Sequence, residues 1–260
     1  MSKLQDENPM GVLSNADYGS GVYRRRIRLQ GEVGRVVAEL EDVAHGFRVI
    51  VAHDGRRVTN ITATVLRAPF DTCIGAVEPI KQLVGLAIDN TAQQIAKQSD
   101  IPANCTHIYD LTTLAIVHCQ RGLVERVWDF SAPDERDDQP QWITAQLNGE
   151  PVLSWKVLQW TVTEPAALNG NTLYRGFSVW AGSRYQGDQA EAAFALQKAY
   201  FVSQSRRYDM SSIAGRPASQ DTTMKGVCHT YSPAVIDSAT RLGDTLRDFT
   251  DCPEQLLTFQ

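Results

Sequence analysis

Two turn dipeptides, each set between runs of strand-forming residues, constrain this chain most. Asp54-Gly55 separates Val49-Ile50-Val51 from Val58-Thr59-Asn60-Ile61, and Asn148-Gly149 interrupts the β-rich stretch from Trp142 to Trp160. Both dipeptides tolerate the positive φ angles of a tight hairpin. Upstream, Val22 to Leu29, Arg35 to Glu41, Phe47 to His53 and Arg57 to Arg67 read as one meander. It ends at Pro69, which cannot donate to a sheet ladder. Leu123 to Phe130 and Trp142 to Trp160 open a second meander. Each is followed by helical patterns, so the fold class is α+β: two antiparallel β-meander regions with flanking helices. The order is that of two similar halves, without a residue-by-residue repeat. The strands either form one continuous antiparallel sheet or pack face to face.

The helical segments are less even. Pro79 splits residues 73–86 into two short pieces. Residues 89–98 form a further helix, and residues 105–121 a firmer one, with Leu111, Leu114, Ala115 and His118 at helical spacing and Gly122 as the stop. Tyr174 to Trp180 reads as a strand. Asp188-Gln189-Ala190-Glu191 resembles a capping box opening a helix to Arg207, and Pro233 to Phe249 reads as a final helix. Residues 1–20 lack an apolar pattern and read as a flexible tail before a single domain over 21–260. Asp134 to Asp138 reads as a solvated loop.

With 25 basic and 30 acidic side chains and a net charge of -5, the chain offers no broad cationic surface, so nucleic acid is not an expected partner. No apolar run approaches the roughly 20 residues of a membrane span. The polar start lacks the apolar stretch of a secretory signal, and the expected location is cytoplasmic. The five cysteines are scattered and include no Cys-x-x-Cys pair, so they read as free thiols, and no structural metal site is expected, since one would need ligands from distant parts of the chain.

The candidate chemical centre is Cys105-Thr106-His107. With Asn104 as N-cap, these residues fill the first helical turn, where unpaired N–H groups lower a thiol's pKa and keep an imidazole neutral. Asp110 lies one turn on and is placed to orient His107. The alternative is that Cys105 packs, Thr106 caps and His107 makes one buried hydrogen bond. His118 is about 16 Å further along the helix, too far to share a metal with His107. Arg67, Asp71, Thr72, Cys73 and Glu78 gather in a strand-to-helix junction, where Arg67 either binds an anion or ties the loop to the sheet. In Lys225-Gly226-Val227-Cys228-His229-Thr230-Tyr231, a strand would put Lys225, His229 and Tyr231 on one face; surface exposure of Lys225 and His229 is the default. The five tryptophans, all between 128 and 180, serve either as core or as walls for a flat aromatic ligand.

Tyr23-Arg24-Arg25-Arg26-Ile27-Arg28-Leu29, Glu39-Leu40-Glu41-Asp42, Arg67-Ala68-Pro69-Phe70-Asp71-Thr72-Cys73-Ile74-Gly75-Ala76 and Cys105-Thr106-His107-Ile108-Tyr109-Asp110-Leu111 together resemble a bacterial family known as domain of unknown function 2889. The resemblance covers roughly residues 22–250. It implies a cofactor-independent lyase that removes formaldehyde from a phenylcoumaran-type, lignin-derived aromatic dimer and leaves a stilbene. Under that reading His107 with Asp110 is the base, Tyr231 or Lys225 exchanges the proton, and Arg67 holds an anion. Cys73, Glu78 and His229 contact the substrate. The expected partner is then a small aromatic molecule, with homo-oligomerisation left open. Two other classes compete: a metal-dependent hydrolase using His107, His229 and Asp110 or Glu78, and a small-molecule binding protein without turnover.

Overall fold

The computed structural model describes residues 11–136 and 139–259. The strands form one continuous antiparallel sheet of eight, in the order β4-β3-β2-β1-β5-β6-β7-β8. The first meander comprises β1 (Val22–Glu32), β2 (Arg35–Asp42), β3 (Gly46–His53) and β4 (Val58–Arg67). The second comprises β5 (Glu125–Pro133), β6 (Gln141–Leu147), β7 (Glu150–Leu158) and β8 (Thr161–Glu164). They join where β1 pairs with β5, with Ile27 opposite Trp128. Face-to-face packing of two sheets is thereby excluded, and α+β stands.

The sheet has one apolar face because its strands alternate. Tyr23, Ile27 and Leu29 of β1 are buried, as are Val36, Ala38 and Leu40 of β2, Phe47, Val49 and Val51 of β3, and Trp128, Phe130 and Ala132 of β5. The intervening residues carry charge on the other face, where Arg28 and Arg48 both pair with Glu39. Helix α2 (Thr106–His118) covers β1 to β3, and α4 (Gly187–Ser203) covers β1 and β5 to β7. Ala192, Ala193 and Ala199 on the buried side of α4 let the helix backbone approach the strands closely. Two shorter helices, α1 (Ala92–Lys97) and α3 (Phe177–Arg184), complete the α-helices among the described residues.

Local chemistry accounts for the turns and for several departures from expectation. Asn148 and Gly149 take φ of 52° and 84°, so this pair closes a tight hairpin. At Asp54-Gly55 the loop runs over 54–57, and Asp54 Oδ1 accepts from the backbone N–H groups of Arg56 and Arg57. Tyr174 to Trp180 is not a strand: Gly176, at φ 85°, turns the chain into α3. Residues 233–249 form no helix. Thr240 and Arg241 instead make bridges to Pro217 and Phe70, while Ile236 and Ala239 enter a small second core with Phe70, Ala218 and Tyr231. The expected capping box at Asp188 does not form. Gln186 is the N-cap, and the Asp188 and Glu191 carboxylates pair with Arg126 and Arg121.

Residues 11–20, expected in a flexible tail, are docked. Val12 is buried, Ser14 bridges to Tyr208 and the Arg207 guanidinium lies over the Tyr18 ring. Residues 1–10 of that tail, and Asp137 and Asp138 of the charged loop, lie outside the described residues. The tryptophans mostly serve the core: Trp128 and Trp155 are buried, Trp160 and Trp180 pack against the core's edge, and Trp142 is exposed.

One glycine marks where α2 is tied back to the sheet. A methyl group at Gly31 of β1 would collide with the Gly122 carbonyl oxygen, in the loop leaving α2. Gly31→Ala should therefore lower stability by about 1–3 kcal/mol or more, read as a reduced midpoint in urea unfolding. An unchanged midpoint would show that this contact relaxes without cost.

Candidate functional site

Within the apolar row Tyr23, Ile27, Leu29 on β1, one inward position is an arginine. Arg25 is 2% exposed, and its cross-strand partner in β2 is Asp42, 0% exposed. Two buried opposite charges persist only when their remaining hydrogen-bonding capacity is filled. Here it is. Asp42 Oδ2 accepts from Arg25 Nε and Nη2 at 3.1 and 2.7 Å and from the Tyr23 hydroxyl at 2.7 Å. Asp42 Oδ1 accepts from the Ala44 and His45 backbone N–H groups, both at 2.9 Å, and meets His45 Nδ1 at 3.0 Å. The carboxylate thus shapes the β2–β3 turn and fixes the His45 ring.

Burial alone would raise the Asp42 pKa, but His45 and Arg25 outweigh it and hold the carboxyl well below its ordinary value. Burial pushes the Tyr23 phenol up, so it stays protonated and donating. The His45 ring stacks on the ring of His107, with centroids 3.9 Å apart and planes at 27°. Phe47 lies beyond, 6.1 Å from His107. His107 Nε2 is buried and makes no hydrogen bond. Burial, then the adjacent His45 and Arg25, hold the His107 pKa well below that of a free imidazole. The result is a neutral imidazole with an unused nitrogen beside a second imidazole oriented by a carboxylate.

Several expected roles change in this setting. The N-cap of α2 is Cys105, not Asn104, whose side chain donates to the Asp100 carbonyl. Burial raises the Cys105 thiol to about 12, overriding the helix start that should have lowered it, so this sulfur stays a neutral thiol. Asp110 pairs with Lys198 of α4 at 3.3 Å, and the carboxylate that serves the histidines is Asp42. Arg67 follows its structural reading. Its guanidinium binds Glu41 Oε1 and the carbonyls of Asp42, Val43 and Thr245, bracing the β2–β3 turn.

Some of the remaining expected residues border the start of α2 without joining the histidine stack: the His229 backbone N–H donates to the Asn104 carbonyl at 3.0 Å, just before Cys105. Tyr231 donates to Asp221 in the second core. Residues 225–231 form turns rather than a strand, so Lys225, His229 and Tyr231 do not share a strand face, and Lys225 is exposed. The His229 ring lies against Gly75. Glu78 forms an exposed pair with Lys81. Cys73 Sγ sits 3.5 Å from Thr230 Oγ1, and burial raises its pKa.

Asp42, His45 and His107 each present a donor atom within 4.8 Å of the others. That set is poorly arranged for a metal. Both Asp42 oxygens are already engaged by hydrogen-bond donors, and near-parallel stacked rings direct their lone pairs side by side rather than toward one point. Among the described residues, His107, His229 and Asp110 or Glu78 form no such group. Two surface clefts lie apart from the histidines, one beside Trp180 and Tyr185 and one on the charged sheet face at Arg24 and Arg26.

Tyr23, Arg25, Asp42 and His45 escaped the sequence reading as site residues. A readable signal existed: an arginine at an inward position of β1, with an aspartate opposite it across the hairpin.

Residues 26–120 match the model of a family described as Protein of unknown function (DUF2889). The matched segment runs from β1 through α2 and contains Asp42, His45 and His107. It supports the resemblance read from the sequence over that span, which is shorter than the 22–250 expected. No curated protein matches the chain. No helix among the described residues is long and apolar enough to cross a membrane.

Asp42→Asn should cost about 3–5 kcal/mol, because it leaves Arg25 buried against a neutral group. The pH dependence has a fixed sign. The depressed Asp42 pKa gives stability present above the unfolded value near 3.8 and lost as pH falls toward the folded one. The depressed His107 pKa adds a loss that begins below 6.5, where the unfolded chain takes up the proton first. Urea unfolding from pH 7 to 3 should show wild-type stability falling throughout, with the part below about pH 4 missing in Asp42→Asn. Parallel curves for the two proteins would contradict the assignment.

Proposed function

We propose that this protein is an enzyme that moves protons between His107, His45 and a phenol-bearing substrate, as a cofactor-independent carbon–carbon lyase. The observation that carries the reading is the buried, unpartnered His107 Nε2 stacked on a histidine that Asp42 orients. A positive charge on His107 is opposed by burial and by the charges beside it, so a proton it takes up is passed on rather than held. One ring then acts as base while the other acts as acid.

The substrate class is a phenylcoumaran-type aromatic dimer, as the resemblance to DUF2889 chains implies. His107 takes the para-phenol proton. The phenolate electrons expel the ring ether oxygen as phenoxide, leaving a quinone methide, and the phenoxide is protonated from the imidazole pair. The base next removes the γ-hydroxyl proton. The C–C bond breaks, formaldehyde leaves, and the bond electrons return through the quinone methide to a phenolate conjugated with the new alkene. Reprotonation yields the stilbene. Substrate and products are at the same oxidation level overall, so the step needs no external oxidant or reductant. Tyr23, Arg25 and Asp42 act as positioning residues, and Phe47 lends an apolar wall beside the rings.

Incubation of the purified protein with a phenylcoumaran dimer should release formaldehyde and stilbene absorbance together. His107→Gln and His45→Gln should each reduce turnover about a hundredfold or more. Because His107 is held neutral well below 6.5, kcat/KM should stay level through neutral pH, and the acid limb governed by His107 should lie below 6.5. Absence of both products across phenylcoumaran and arylpropane dimers would remove the lyase reading. Full activity in both histidine variants would remove the site.

A further inference from the structure

The ion pair of Asp110 with Lys198 marks a seam between the two long helices, one turn along α2 from His107. On α2, His107, Asp110 and Leu114 follow one another at helical spacing and share a face. On α4, Ala195, Lys198 and Val202 do the same. Asp110 and Lys198 meet across the seam at 3.3 Å, and their side chains are 43% and 36% exposed. Leu114, Ala195 and Val202 are partly buried against the core, giving apolar positions on the same two helix faces. His45, stacked on His107, is 12% exposed, and the Asp42 that orients it pairs with the buried Arg25.

The charges at this seam are unequal in availability. Asp42, the deep carboxylate, is saturated by hydrogen-bond donors from Tyr23, Arg25, Ala44 and His45. Asp110, the outer one, is held by a solvent-accessible pair of the kind that exchanges at little cost. Lys198 is therefore the cation an incoming anion can claim, and its charge already acts on His107. The other ionisable groups facing His107 are His45, Arg25 and Asp42.

We propose that Lys198 is the anion-binding and specificity residue of this site: it receives an aromatic oxyanion, a phenolate or arylcarboxylate, in exchange for Asp110, with the ring on the apolar seam. This rests on the site assigned above and adds to it the charge that the site selects. It requires no turnover, so it can be tested apart from the lyase reading.

4-Nitrophenol is a suitable probe because its phenolate is coloured and its ionisation can be read directly in the bound state. The wild-type protein should bind it and favour the phenolate, lowering its apparent pKa. Lys198→Met should weaken phenolate binding by roughly threefold to tenfold and abolish the shift, as loss of one partly exposed charge contact implies. Asp110→Asn, which frees Lys198, should change both in the opposite direction. Neutral 4-nitroanisole should respond to neither substitution. Failure of 4-nitrophenol to bind, or equal effects of Lys198→Met on probe and anisole, would overturn the proposal. If the histidine variants lose turnover while Lys198→Met leaves phenolate binding intact, the catalytic site stands and this inference alone falls. If the probe behaves as expected but no dimer is turned over, the anion site stands and the lyase reading falls.

Discussion

The buried pair of Arg25 and Asp42 is the constraint on which the site depends. It occupies two inward positions of a sheet face that is otherwise apolar, where an uncompensated charge would cost several kcal/mol. The compensation comes from Tyr23, from two backbone N–H groups of the β2–β3 turn and from His45. Satisfying one carboxylate therefore fixes a phenol, a turn and an imidazole together. Arg67 braces the same turn, binding the carbonyls of Asp42 and Val43 at its start, and Glu41 joins it to the chain's last described residues through the N–H of Leu257. The placement of His45 follows from electrostatic necessity in the sheet.

The eight-stranded sheet gives that centre its second component. Joining two meanders through β1 and β5 brings two helices side by side on one apolar face, α2 from the first meander and α4 from the second. His107 reaches His45 because α2 begins beside the β2–β3 turn, and Lys198 reaches Asp110 because α4 lies alongside. Neither half alone assembles all of these groups, although the groups around Asp42 all belong to the first.

The sequence disclosed periodic features well and long-range ones poorly. Strand alternation and the Asn148-Gly149 turn were legible because each rests on neighbouring residues. The helix carrying His107 was legible for the same reason. The partner of His107 was not, since Asp110 is near in sequence while Asp42 and His45 are near only through the β2–β3 turn and the packing of α2. The surroundings of Tyr231 were not legible either, since a polar cluster seven residues long reads the same whether it faces a cleft or, as here, helps close a second core around Phe70. The Cys105 thiol shows competing effects directly: a helix start favours thiolate, burial favours thiol, and burial wins.

The central claim is that His107 is a neutral base in contact with a carboxylate-oriented His45. Observation of the imidazole nitrogens by NMR across a pH titration tests it most directly. His107 should remain neutral well below pH 6.5, while replacing Asp42 by asparagine should change the His45 signals through loss of the negative charge on its Nδ1 partner. A His107 that titrates like a free imidazole, with His45 indifferent to Asp42, would contradict it.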